Sequence, residues 1–112
     1  MKNPIVKVDT RRIKDETTFH DTFAELFGFL EGYGRNMNAW IDCMTCLDQP
    51  ADGMTTIHAP PGGVVVIQLD YVDDFVARCP DLYDEIVECS ALVNFRRIDM
   101  GNEPVLALSF YL

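Results

Sequence analysis

Basic side chains are scarce in this chain. It carries nine Lys and Arg against eighteen Asp and Glu, a net charge of −9. Phosphates would be repelled by such a surface, so direct nucleic-acid binding is not expected. The same field accelerates the approach of a basic protein partner. Long apolar runs are also missing: none approaches the roughly 18 residues that mark a membrane helix. Met1-Lys2-Asn3-Pro4 leads straight into a strand pattern, and no signal peptide is visible. A cytoplasmic protein without membrane contact is expected. Histidine is limited to His20 and His58. Neither has a Ser or Cys partner arranged as a nucleophilic pair. His20 reads as a solvated or capping side chain in the first turn of a helix. No glycine loop opens a helix to cradle phosphate, because Gly62-Gly63 precedes a strand instead. No enzyme and no cofactor are expected.

The four cysteines are Cys43, Cys46, Cys79 and Cys89. A chain with no export signal lives among reducing agents, where thiols stay free. Cys43 and Cys46 have the gap of a zinc or redox pair. Zinc would need two more ligands from Cys79, Cys89, His20 or His58, and these form no second close pair. A redox pair would want its first Cys exposed at a helix N-terminus, whereas Cys43 falls mid-helix on an apolar stripe. Buried structural thiols are the expected state, with no metal site.

What the chain does have is the material of one domain, residues 1–112, with 48% hydrophobic residues. Residues 4–9 read as a first strand, starting at a proline. A helix over about 17–28 follows, with Asp15 or Thr17 as its cap and Phe19, Phe23, Leu26 and Phe27 on its apolar face. A second helix covers about 36–47. The stretch 48–63 is longer than an ordinary loop and is expected to be functional or mobile. Val64–Leu69 is a β-branched run suited to a parallel strand buried on both faces. Asp70 is placed to cap a short helix over 72–79, stopped by Pro80. A long helix over 81–97 and a last strand over 105–111 complete the order. An α/β fold follows, with a small three-stranded parallel sheet, about four helices and crossovers largely on one face.

The richest segment is 33–47. Tyr33 and Gly34 lead into a tight turn in which Gly34 can take a positive φ. Asn36 can cap the helix that follows. Trp40, Cys43, Met44 and Leu47 then recur at helical spacing and would face a core. Asn38, Asp42 and Thr45 follow the i, i+4, i+7 rule on another face.

This pattern closely resembles the barstar family of intracellular ribonuclease inhibitors. Their hallmark is a Tyr-Tyr-Gly-x-Asn turn, then a helix reading roughly Asp-Ala-Leu-Trp-Asp-Cys-Leu-Thr. Tyr33, Gly34 and Asn36 match the turn. Ala39, Asp42, Cys43 and Thr45 match the helix, with Met44 as the equivalent apolar residue. The likeness covers about residues 5–47. It implies the barstar fold, and it implies a protein that blocks a basic ribonuclease active site, possessed by an enzyme or a toxin to which this chain would be the immunity protein. Asp42 would be the central carboxylate. Tyr33, Gly34 and Asn36 would form the contact turn, Asn38 and Thr45 would flank it, and Met37 and Ile41 would supply apolar contact. The sequence departs from the family at Gly32, Asn38 and Ile41, where the family has a tyrosine, an aspartate and a tryptophan. The family also uses an acid late in the chain, and around 94–97 this sequence has Arg96 and Arg97 instead.

A second reading from another class is an interaction module with no nuclease partner. It would self-associate or bind through the 48–63 loop.

Titration of the native thiols should show Cys43 reacting far more slowly than free cysteine. A Cys43–Cys46 disulfide should not form, because i, i+3 positions on one helix rarely meet disulfide geometry. Reaction of Cys43 at the free-thiol rate would contradict its burial.

Overall fold

Two β-branched runs and one run of other apolar residues build the sheet: β1 (Ile5–Asp9) and β2 (Val65–Asp70), then β3 (Leu106–Phe110), which reads Leu-Ala-Leu-Ser-Phe. The computed structural model describes residues 2–112. The strands lie in the order β1-β2-β3, all parallel. Parallel neighbours need crossovers, and helices supply them. Between β1 and β2 run α1 (Glu16–Phe27) and α2 (Met37–Thr45); between β2 and β3 run α3 (Val72–Arg78) and α4 (Pro80–Asp99). Val6 pairs with Ile67, and Ile67 with Leu108, so one apolar row crosses the whole sheet. Among the described residues no helix is long and apolar enough to cross a membrane.

The expectation that β2 is buried on both faces needs correction. Val65, Ile67 and Leu69 are buried, while Val66, Gln68 and Asp70 between them are only half-buried. The helices cover one face of a sheet too small to need a second layer. On the covered side, Phe19, Phe23 and Phe27 form a ladder up α1 with ring centroids 4.8 and 5.8 Å apart, and Trp40 meets Phe23 edge-on at 5.7 Å. All four are fully buried. Edge-on and offset rings of this kind add to the gain from burying their area.

Local chemistry sets most of the helix ends. The Asp15 carboxylate accepts from Thr18 N–H at 2.9 Å, and the Thr18 hydroxyl accepts from Asp15 N–H at 3.0 Å, a reciprocal cap. Gly28 ends α1 at φ 61°, and a side chain there would collide with Thr56. Asp70 does not cap α3. Its carboxylate accepts from Gln68 at 2.7 Å, and Tyr71 starts the helix at φ 58° with no side-chain cap. Pro80 opens α4 rather than only ending α3, because a first-turn position needs no N–H.

The 48–63 stretch, which the sequence marks as functional or mobile, is tied to its neighbours by backbone hydrogen bonds. It contains a short 3-10 turn at Pro50–Asp52. Leu30 N–H donates to Met54 C=O at 3.1 Å, Thr56 N–H to Phe27 C=O at 2.9 Å and Ala59 N–H to Leu47 C=O at 2.9 Å. Thr55 and Ala59 are buried. The stretch is long because it must travel from the end of α2 across the end of α1 to the start of β2.

Side chains lock α4 to its surroundings. Asn94 accepts from Val105 and Leu106 N–H and donates to Leu106 C=O, all within 3.1 Å. Arg97, only 4% exposed, donates to both Asp48 oxygens at 3.0 and 2.7 Å, to Thr45 C=O at 3.0 Å and to Glu103 C=O at 2.7 Å. Replacing Arg97 by Ala leaves Asp48 and two carbonyls without that partner, so Arg97→Ala should destabilise the fold by about 3–5 kcal/mol. Arg96→Ala, at an exposed neighbour, should cost less than about 0.5 kcal/mol. Urea unfolding of both variants checks this, and equal midpoints would refute the clamp.

Candidate functional site

The turn before α2 is shaped by packing rather than by a left-handed Gly34. The positive φ values fall on Gly32 (85°) and Arg35 (55°), and Gly34 has none. Gly34 is needed for closeness instead: a side-chain carbon there would lie 3.2 Å from the Ala39 methyl. Arg35 is held in its unusual conformation by Asp21 at 2.8 Å and by Thr17 C=O at 3.2 Å. Asn36 caps α2 as its sequence position implies, accepting from Ala39 N–H at 2.8 Å while its amide donates to Gly34 C=O at 3.3 Å.

Beneath the turn lies a buried polar pair that the sequence did not reveal. His20 is 1% exposed, not solvated or capping, and sits in the second turn of α1. Its Nδ1 is 2.7 Å from the Tyr33 hydroxyl. Its Nε2 has Glu16 as the nearest carboxylate, at 3.9 Å. Burial holds the imidazole below its ordinary pKa and pushes the Tyr33 phenol up. Both groups are therefore neutral near pH 7, and the pair acts as a fixed strut under the turn. Tyr33 completes it by packing on Phe29, ring centroids 4.6 Å apart.

Helix α2 divides as its two stripes imply. Trp40, Cys43 and Met44 are buried, and so is Leu47 just past the helix end. Asn38 and Asp42 are exposed, and Thr45 is half-buried with its hydroxyl donating to Ile41 C=O at 2.7 Å. Met37 is half-buried. Ile41 departs from its expected contact role: it is 5% exposed and belongs to the core. The helix turns only a narrow edge outward, and position 41 falls on the flank facing inward.

Asp42, Thr45 and Cys46 line a wide, open concavity of about 600 Å³, closed on its other side by Arg96, Asp99 and Met100 of the α4 end and by Met54. Asn38 and the Tyr33–Met37 turn are not part of its lining. The sequence-derived site thus divides between a carboxylate-bearing hollow and the turn that precedes it along the chain. Asp99 is an acid late in the chain, two residues beyond the 94–97 stretch where the resemblance called for one. Its sequence distance from Asp42 hid it, since only the packing of α4 on α2 brings the two together. Two carboxylates, a threonine and one arginine around an open hollow can bind cationic groups. They contain no nucleophile with a base beside it.

The thiols are not poised for redox chemistry. All four cysteines are free. Burial pushes Cys43 up to about 11 and raises Cys46 as well, so neither is a thiolate near neutral pH. Among the described residues, no three His, Cys, Asp or Glu side chains gather closely enough to hold a metal ion.

A family model described as Barstar (barnase inhibitor) matches residues 3–104. That span is most of the 112 residues, and the chain belongs to the barstar family. No curated protein matches it.

The His20 strut gives a pH signature. A histidine whose folded pKa lies below its unfolded value of about 6.5 adds stability that is complete above that value. The contribution is lost as pH falls through the folded pKa, because the unfolded chain takes up the proton first. The melting temperature should therefore drop from about pH 6.5 towards pH 5. His20→Gln, which cannot titrate, should flatten that slope while lowering the neutral-pH value. An unchanged slope in the variant would show that another group carries it.

Proposed function

We propose that this domain is a protein inhibitor of a ribonuclease, acting by laying the 33–47 turn and helix against a basic active site. The observation that carries the reading is the exposed Asp42 in a hollow shared with Asp99, on a rigid helix in a chain of net charge −9. Membership of the barstar family supports it. Ribonuclease active sites gather cations to hold phosphate, and a carboxylate on a rigid element can occupy that place. The acidic field raises the encounter rate, while desolvated pairs at the centre set the lifetime of the complex. In this reading Asp42 is the central contact and Asn36 fixes the helix start. Tyr33, Gly34, Met37, Asn38 and Thr45 form the surrounding surface. An immunity protein kept beside a basic toxin, in the cytoplasm, is the setting that fits these features.

The relevant partner differs from one adapted to a tryptophan at position 41. With Ile41 buried, the apolar surface beside Asp42 comes from other residues, Met54 and Met100 among them. Changes of this kind redirect specificity without touching the central charge.

Loss of a central pair is expensive, because truncating one partner strands the other charge out of water, at about 2–5 kcal/mol. Asp42→Ala should therefore weaken binding to the cognate ribonuclease by that amount. Asp84→Ala, on the solvent side of α4, should cost under about 1 kcal/mol. Both variants should keep the parent melting temperature. Calorimetric titration against a partner captured from source cells, or against a panel of basic ribonucleases, measures the difference. Equal small losses would show that the helix edge is not the binding surface.

A further inference from the structure

The two edges of the sheet are built differently. The β1 edge is protected: Pro4 precedes it, Lys7 and Asp9 lie within it, and Arg11 folds back onto Asp9 at 2.7 Å. Charge and proline are the usual devices that stop an edge from pairing with another chain. The β3 edge has neither. Leu106–Phe110 reads Leu-Ala-Leu-Ser-Phe, with no charge, no proline and no glycine. Beside it, Phe95 is 64% exposed, Ile98 57% and Phe110 48%.

Backbone direction says which residues of that edge are open. Val105 C=O accepts from Val65 N–H, and Tyr111 N–H donates to Leu69 C=O. By alternation, residues 105, 107, 109 and 111 face β2, and 106, 108 and 110 face outward. Asn94 occupies both backbone groups of Leu106. The outward row left over is Leu108 and Phe110.

We infer that two copies of this chain pair antiparallel through β3, about a two-fold axis at Ser109. In that register Leu108 of each copy lies opposite Phe110 of the other. Each such pair exchanges two N–H···O=C bonds, so the outward row is satisfied completely by itself. Ser109 then meets its own copy at the closely spaced, non-hydrogen-bonded position, where a small side chain fits. The apolar side chains of 108 and 110 remain on the helix-covered side. Asn94 faces β3, so Ala91 and Ile98, one turn away on α4, lie along the same flank, with Phe95 next to them. These residues would cover the seam.

The area supports a dimer of moderate strength. A phenylalanine presents on the order of 200 Å². The stated exposures then amount to roughly 300 Å² of apolar surface per copy, before the strand itself is added. For two copies that is roughly 600 Å² plus the paired strands, in the range of weak and transient interfaces, which favours a concentration-dependent equilibrium over a permanent dimer. The hollow at Asp42 lies on the other flank of α4, so each copy keeps its site free. The inference is independent of what that site binds.

Sedimentation of the full chain from about 1 to about 200 μM tests it, a range that brackets interfaces of this size. The parent mass should rise from 12.7 kDa towards twice that value. Ser109→Lys places two like charges face to face at the axis, and should hold the protein at the monomer mass throughout with an unchanged melting temperature at low concentration. Ile5→Lys, on the opposite edge, should dimerise like the parent. A parent that stays monomeric across the range overturns the proposal and leaves the edge to a strand of some other protein. Dimerisation that survives Ser109→Lys overturns it too, by placing the interface elsewhere.

Discussion

Arg97 is the constraint on which the functional geometry rests. The sheet and the apolar core hold the helices together, and where α2 and α4 pack on each other a buried guanidinium ties their ends. Arg97 reaches Thr45 C=O at the last turn of α2, both oxygens of Asp48 just beyond it, and Glu103 C=O in the turn before β3. A lone buried cation would be very costly, and this one is stabilised only because its partners are planar, close and numerous. Lysine would not serve, since a point charge cannot hold a bidentate carboxylate and two carbonyls at once. The consequence for function is geometric. Asp42 and Asp99 stand on two packed elements whose ends this clamp ties together beside the hollow.

The chain's net charge acts differently at different depths. Most of its eighteen carboxylates are solvent-exposed, and there they set a long-range field rather than local bonds. Others act locally, tied to cations, side chains or backbone, among them Asp9 with Arg11, Asp15 at the start of α1, Asp21 with Arg35, Glu25 with Arg12, Asp74 with Arg78 and Asp48 with Arg97. Asp42 makes no bond of these kinds among the described residues. An acid on a rigid helix with no internal partner is free to take an external one, without first breaking a bond inside the protein.

Much of the fold was legible because the sequence states it locally. The β-branched run at 64–69, the apolar run at 105–111, the cap at Asn36 and the periodicity of α1 and α4 all placed elements within one or two residues. Three features that escaped the sequence share a cause: each depends on a contact distant in sequence. His20 looked solvated because Tyr33, thirteen residues away, is its partner. The clamp at Arg97 was hidden because its carboxylate lies forty-nine residues earlier. Asp99 was missed because only tertiary packing sets it beside Asp42. Gly34 reads from sequence as a positive-φ glycine, whereas its role in the fold is closeness to Ala39, five residues on. Ile41 was assigned to the surface by analogy with a family tryptophan. At the edge of the apolar stripe this β-branched residue turns inward and joins the core.

That last substitution bears on how such a site evolves. The inner stripe of α2 cannot vary much, because Trp40 and Met44 are packed against the phenylalanine ladder and any change leaves a cavity or an overlap. Asp42 sits on the same helix and is positioned by that packing without taking part in it. The residues around it, Asn38, Met54, Arg96 and Met100, are on the surface or at its margin, and their replacement costs the fold little. Under the proposed reading, a rigid central charge within a variable rim lets one scaffold keep its mode of approach while its partner changes. Discrimination between partners then comes from the rim, through mismatched charges and shapes that raise the energy of the wrong complex more than they lower that of the right one.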